Sequence, residues 1–269
     1  MWNSTRAELS KLVRRPANWL LLAVALTLSL TFTYLVPYAG AEGPTADRGV
    51  ASTLPDQLVG NSVGGWPLFG GALALILGVL AAGADYAWGT WKTVLTQGPS
   101  RLSVYAGKLV ALALGVLVMV LSLFAAGAAT AAAIAAAEGE AARWPSATDL
   151  AAGIGAGWLV AMMWAMLGVL LAVSLRGVAL PIGLGLVWIM AVQNLLASVA
   201  APLLDWVAEA QKGLPGPNAG SLAASLGTSP DTPGAAELVG SGQATLVVAA
   251  YLVLFAVVGA LLLRRRDIL

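Results

Sequence analysis

Residues 108–136 read KLVALALGVLVMVLSLFAAGAATAAAIAA. After Lys108 no Asp, Glu, Lys or Arg occurs until Glu138. A helix needs only about 20 apolar residues to cross the hydrocarbon core of a bilayer, so this run crosses with residues to spare and is expected to tilt or project into water. It is continuously apolar rather than alternating, which selects a helix over a barrel strand. Lipid offers no partner for free backbone N–H and C=O groups, so a spanning segment has to satisfy them internally.

Working outward, five further runs of the same kind occur, at roughly 18–37, 66–84, 151–175, 178–200 and 244–263. The whole chain is 59% hydrophobic and only 10% charged. Soluble domains carry about 25% charged residues, so this chain lacks the polar surface of a water-soluble fold. The expectation is one all-α transmembrane domain over 1–269 with six spans.

The charges divide by side. Six spans place both termini together, and eleven of the fourteen basic residues fall on that side, from Arg6, Lys11, Arg14 and Arg15 to Arg264, Arg265 and Arg266. The opposite side holds Arg48, Arg143 and Lys212 among ten acidic residues. The positive-inside rule then puts both termini in the cytoplasm. Ala39-Gly40-Ala41 resembles a signal-peptidase site, but the apolar run before it is near full span length, and we read an anchor.

Chemistry is limited by what is missing. The chain has no Cys and no His, which excludes disulfides, Cys/His metal sites and any imidazole base; no metal site is expected. Gly107-Lys108 is followed by Leu109 and lacks the earlier glycine of a phosphate loop. No channel filter of the TVGYG type and no nucleophile elbow occurs. No ionisable residue lies in the middle of a span as drawn, which disfavours a lone ion-coupled carrier. The most polar pair inside a span is Gln193-Asn194, read either as interhelical hydrogen-bonding glue or as a point on a substrate path. Small residues repeat at four-residue spacing at Ala74, Gly78 and Ala82, at Ala128, Ala132 and Ala136, and at Gly153 and Gly157, the pattern of close helix packing.

Three segments outside the spans carry pattern. Residues 2–16, WNSTRAELSKLVRRP, place Ser4, Glu8, Lys11 and Arg15 on one helical face and Trp2, Leu9, Leu12 and Val13 on another. Thr5 and Glu8 have capping-box spacing. The pattern is that of an interfacial helix with Trp2, Leu9 and Leu12 in lipid and Lys11, Arg14 and Arg15 near headgroups, or of a basic flank that only sets orientation. Residues 85–101, DYAWGTWKTVLTQGPSR, place Trp88, Trp91 and Leu95 along one face of a short helix that Gly98-Pro99 stops. Aromatics and Arg are enriched in protein interfaces, and Trp also anchors in headgroups, so docking and anchoring both fit. Residues 201–243 form the longest external loop. PLLDWVAEAQ (202–211) sets Leu203, Trp206, Val207 and Ala210 on one side, and Pro215 and Pro217 break the chain beyond it. Lid and connector remain open for this loop.

Taken together, these segments resemble the type-2 ABC-exporter permeases, the six-span membrane subunits of ATP-driven bacterial exporters. ELSKLVRRPANW (8–19) resembles that family's elbow helix, and RRRDIL (264–269) its basic ending. The first cytoplasmic loop resembles its acidic-x-x-x-Gly-Thr … Pro-Ser-Arg … Gly-Lys pattern at Asp85, Gly89, Thr90, Pro99, Ser100, Arg101, Gly107 and Lys108. The resemblance implies a bacterial cytoplasmic (inner) membrane protein that exports a drug-like compound, lipid, peptide or glycan. It would be no enzyme itself and would hold no cofactor. ATP and Mg would be bound by two copies of a partner ATPase, and a second permease, identical or a sister chain, would complete the pore. Membrane lipids are the other expected partner, and no nucleic acid is. Under this resemblance Asp85, Trp88, Gly89, Thr90, Trp91, Lys92, Leu95, Pro99 and Arg101 belong to the coupling helix that seats on the ATPase. A self-contained carrier or channel and a structural membrane anchor stay as the rival readings.

Overall fold

The computed structural model describes residues 2–40, 48–89 and 100–265, and among these there is no strand. Six helices are long and apolar enough to cross a membrane: α2 (Pro16–Ala39), α4 (Phe69–Ala87), α5 (Arg101–Glu138), α6 (Ala147–Leu175), α7 (Ala179–Leu203) and α10 (Ser241–Arg265). A short amphipathic helix, α1 (Trp2–Arg14), precedes them. Three others lie at the end of the bundle opposite α1: α3 (Leu58–Val63), α8 (Asp205–Gln211) and α9 (Pro215–Ala224).

Local chemistry sets the helix ends. Pro16 opens α2, where its missing N–H costs nothing and its fixed φ is already helical. The Ser100 hydroxyl accepts from the Ser103 N–H at 3.2 Å and starts α5. Ser146 and Asp149 form a reciprocal capping box at the start of α6. Thr5 and Glu8 do not form the box their spacing suggests, because α1 already begins at Trp2 and runs through both. α6 ends on Arg176 at φ 53°, the one non-glycine residue in the left-handed region among those described.

The bundle is built around α4 and α6. Both are largely buried, whereas α2, α7 and α10 are mostly exposed at the periphery. Lipid is as apolar as a leucine, so helices associate in it by close packing rather than by a hydrophobic driving force. α4 and α6 achieve this with reciprocal glycines. A Cβ added at Gly78 would land on the carbonyl oxygen of Ala165, and one at Gly168 on the carbonyl oxygen of Leu75. Ala74 and Ala82, in register with Gly78, are likewise buried at this seam. Gly153 packs against Val59 and Phe124, and Gly157 against Trp66 and Val120. In α5 the packed stripe is Gly127, Ala131 and Ala135, with Tyr34 over Gly127; Ala128 and Ala132 are only partly buried and Ala136 is exposed. The four-residue period expected there is correct, but its phase is off by one residue.

α7 is the irregular span. Two π-helical stretches, Val187–Val192 and Leu196–Ala200, flank Gln193–Leu195. Beyond it the long 201–243 loop folds as a cap. Pro215 does not break the chain there but takes the first turn of α9, which is buried over most of its length. The expected face of Leu203, Trp206, Val207 and Ala210 does not form: Val207 is buried while Leu203 and Trp206 are highly exposed, because α7 ends at Leu203 and extended backbone at Leu204 reorients α8.

Candidate functional site

Asp85 closes the last turn of α4, Lys108 lies two turns into α5, and Glu8 sits midway along α1. These side chains meet. The Lys108 ammonium, 1% exposed, donates to Glu8 Oε2, Asp85 Oδ2 and the Ala81 carbonyl, each at 2.7 Å. An ammonium has three N–H donors, and all three are used. Lys11, one turn beyond Glu8, donates to Glu8 Oε1 at 2.7 Å and to Asp85 Oδ1 at 3.2 Å. Two cations and two carboxylates therefore form a closed, formally neutral square. Arg15 adds a fifth strut, donating from Nη1 to the Leu80 carbonyl at 2.9 Å.

Burying charge is expensive unless geometry and hydrogen bonding are both good, and removing one partner of such a set strands the others. Here each carboxylate bridges two ammonium groups. Burial by itself would lower Lys11, but the hydrogen bonds and charges of Glu8 and Asp85 outweigh it and hold the ammonium above its ordinary range. The square also rests on close packing: Gly107, the residue before Lys108, lies against Ser4 and Thr5 with no room for a Cβ. The Tyr105 hydroxyl, one turn earlier, donates to the Ala256 carbonyl at 3.0 Å and ties α10 to the same end.

The polar face of α1 is thus turned into the protein. Glu8 is buried, Lys11 and Arg15 are partly buried, and Leu12 packs towards Gly115 of α5. Leu9 is partly buried, and Val13 and Arg14 are exposed. Sequence reading placed the lysine and arginines of this face near headgroups; two of the three instead reach α4. The signal missed was the pair of opposite charges, Asp85 and Lys108, at the ends of two distant spans.

The square stands at the roots of the 85–101 segment. Asp85 belongs to its first residues, and Lys108 lies two turns past its last. Trp88 is 82% exposed and Gly89 adopts φ 62°, ending α4. Arg101 opens α5 and is partly buried. Thr90, Trp91, Lys92, Leu95 and Pro99 lie outside the described residues. Within this group Asp85 differs from Trp88: its carboxylate is committed inward to Lys11 and Lys108, whereas the Trp88 indole points outward.

The second candidate pair separates. Gln193 is buried, with its side-chain oxygen pressed against Gly216 of the cap. Asn194 is exposed and donates from Nδ2 to the carbonyl of Met190 on its own helix at 2.7 Å. A cavity of about 350 Å³ lies elsewhere, between α2, α3 and the start of α4, and neither carboxamide borders it. No group of three or more acidic residues able to hold a metal occurs among the described residues.

A protein-family model described as "ABC-2 family transporter protein" matches residues 5–192, a range that contains most of α1, the ion square and the first four spans. No curated protein gives a significant match.

Proposed function

Because the chain belongs to the ABC-2 transporter family, a family of transport permeases that work with an ATP-binding cassette ATPase, we propose that it is the export permease of a complex whose energy comes from that partner. In this reading both termini and residues 85–101 face the cytoplasm, where eleven of the fourteen basic residues collect. Two ATPase subunits serve two permease chains, identical or sister, in an inner membrane. ATP and Mg bind only the partner. The bundle alternates between inward- and outward-open arrangements and expels its cargo.

The structural observation that supports the reading is the position of the ion square. It joins the helix that enters the 85–101 segment, the helix that leaves it, and α1. A displacement of the segment is then delivered to three helices as one body, since the buried charges cannot separate without large cost. Trp88, Trp91 and Leu95 supply the gripping face, Lys92 and Arg101 its charged rim, and Asp85 acts from inside by fixing the root. α1 is the elbow that moves with them along the membrane surface.

Tagged chain purified from its native membrane is expected to bring down an ATPase. Trp91→Ala with Leu95→Ala should weaken that association by about tenfold or more, as loss of central interface anchors does, while insertion and thermal stability stay at wild-type level. Retained association would remove residues 85–101 from the interface. Failure of the wild type to retain any ATPase would defeat the reading as a whole.

A further inference from the structure

The cavity between α2, α3 and α4 has a chemistry of its own. Its walls are apolar: Leu28 and Phe32 of α2, Phe69 and Leu73 of α4, and Leu123 of α5. Phe32 and Phe69 are each about half exposed, at 45% and 49%. The apolar slot therefore opens sideways along α2, the least buried of the six spans. One guanidinium stands over this wall. Arg48, partly buried, donates from Nη2 to the Thr232 hydroxyl at 3.1 Å, and its Nε is buried without a partner. Asp231 acts on it through space, but no ion pair with Arg48 occurs among the described residues.

At the other end of the bundle Lys11 and Lys108 each contact two carboxylates. Arg48 instead sits with donors to spare beside an apolar wall. An Arg fork matches a carboxylate or phosphate, and its strength rises as water is excluded. The cavity volume of about 350 Å³ is at the lower end of the ~300–1,000 Å³ typical of ligand pockets, which suits one chain rather than two.

We propose that this cavity binds a single-chain amphiphilic anion, its chain lying along Leu28 and Phe32 and its carboxylate or phosphate head on Arg48. Such a molecule can come from the surrounding bilayer or from solution at the capped end. Binding here is independent of the ATPase, so it can be tested, and can fail, without touching the transport reading.

Gly65 provides the decisive variant. It lines the cavity, its φ is not in the left-handed region, and nothing lies within 4 Å of a Cβ placed on it. The Cβ of Gly65→Leu therefore meets no neighbour, and its side chain takes up volume at the cavity wall. The full-length chain in phosphatidylcholine nanodiscs would be photolabelled with dodecanoate carrying a chain diazirine, and in parallel with the matching dodecanol. Wild type should be labelled on α2 and on residues 66–73, and more by the carboxylate. Gly65→Leu should lose this labelling while keeping the wild-type melting temperature. Arg48→Gln should retain labelling by the alcohol but lose about tenfold in labelling by the carboxylate, the size expected for a charge-assisted hydrogen bond. Displacement by single-chain lysophosphatidylglycerol built into the disc identifies a bilayer source, and displacement by free dodecanoate a soluble one. Equal labelling by acid and alcohol in the wild type, labelling that survives Gly65→Leu, or failure of both competitors overturns the proposal.

Discussion

The two ends of the bundle hold their polar groups in opposite ways. At the end that carries α1, four ionised side chains meet and every ammonium proton of Lys108 has an acceptor. At the capped end the polar groups are mostly backbone carbonyls, hydroxyls and carboxamides, and several buried atoms lack partners: Ser62 Oγ, Asn218 Oδ1 and Arg48 Nε. A closed charge set is stiff, because any separation exposes an uncompensated ion to a poor solvent. A half-satisfied set that is neutral apart from Arg48 is cheaper to rearrange, and its spare capacity is where a ligand or water can be accommodated. The comparison assigns rigidity to the end that we propose receives the ATPase and adaptability to the end that carries the cavity.

The harshest way to break that contrast is to remove the central cation. Lys108→Met should destabilise the chain by about 3–5 kcal/mol, since Glu8 and Asp85 are left buried with only partly exposed Lys11 between them. Adding Glu8→Gln and Asp85→Asn to Lys108→Met should recover most of the loss, because the uncompensated charges are then gone. Detergent-unfolding midpoints of the single and triple variants measure both effects. A Lys108→Met protein as stable as the wild type would mean that the square bears no strain when opened.

A smaller effect is expected at the cap. The buried Ser221 hydroxyl lies 2.9 Å from the carbonyls of both Pro217 and Ala236, which share its one proton, and accepts from the Leu238 N–H at 3.0 Å and the Val239 N–H at 3.3 Å. It staples α9 to the strap that follows. Beside it, a Cβ on Gly220 would strike the carbonyl oxygen of Gly234, and the Thr228 hydroxyl donates to the Gly60 carbonyl at 2.9 Å. Ser221→Ala leaves the Val239 N–H without this acceptor and the Leu238 N–H with only the Ala236 carbonyl at 3.1 Å, and should cost about 1 kcal/mol. The exchange of amides 236–239 should accelerate, while those of α1 and α5 should not. If α1 loosened as well, the two ends would not be independent.

The same contrast explains what could be read from the sequence. The six spans were legible because a run such as 108–136 has one physical solution, a helix across lipid. α1 was legible as a helix from its period, but not in its orientation. A basic, periodic face has two solutions, headgroups or buried counter-charges, and the choice depends on Asp85 and Lys108, far away in the chain. The drawn start of the third span at Lys108 concealed this; α5 in fact begins at Arg101, which sinks Lys108 two turns into the helix. Period fixes spacing without phase, hence the shift from Ala128, Ala132 and Ala136 to Gly127, Ala131 and Ala135. The cap was least legible. Proline reads locally as a break, and only burial against α10 and α6 makes Pro215 a helix start. Arg48 gave no signal at all, since its neighbours in the cavity come from four separate stretches of chain.

The smallest expected effect concerns pH, and it tests whether either end is a switch. Lys11 is raised from the ordinary Lys value of 10.5 by Glu8 and Asp85 against the lowering caused by burial. A group raised in the folded state contributes its stability in full below its unfolded pKa and loses it as pH rises through the folded value. For Lys11 that window begins near 10.5 and extends upward. At the other end Arg48 is lowered by burial with Asp231 opposing, and a guanidinium stays charged at any physiological pH. With no His in the chain, neither cation changes state between about pH 6 and about pH 9. Proteolysis of α1 should therefore be flat over that interval and rise only in strong alkali, and Lys11→Arg should abolish the alkaline rise. A midpoint near neutrality would overturn this reading of Lys11, and the stiff end would then be the switchable one.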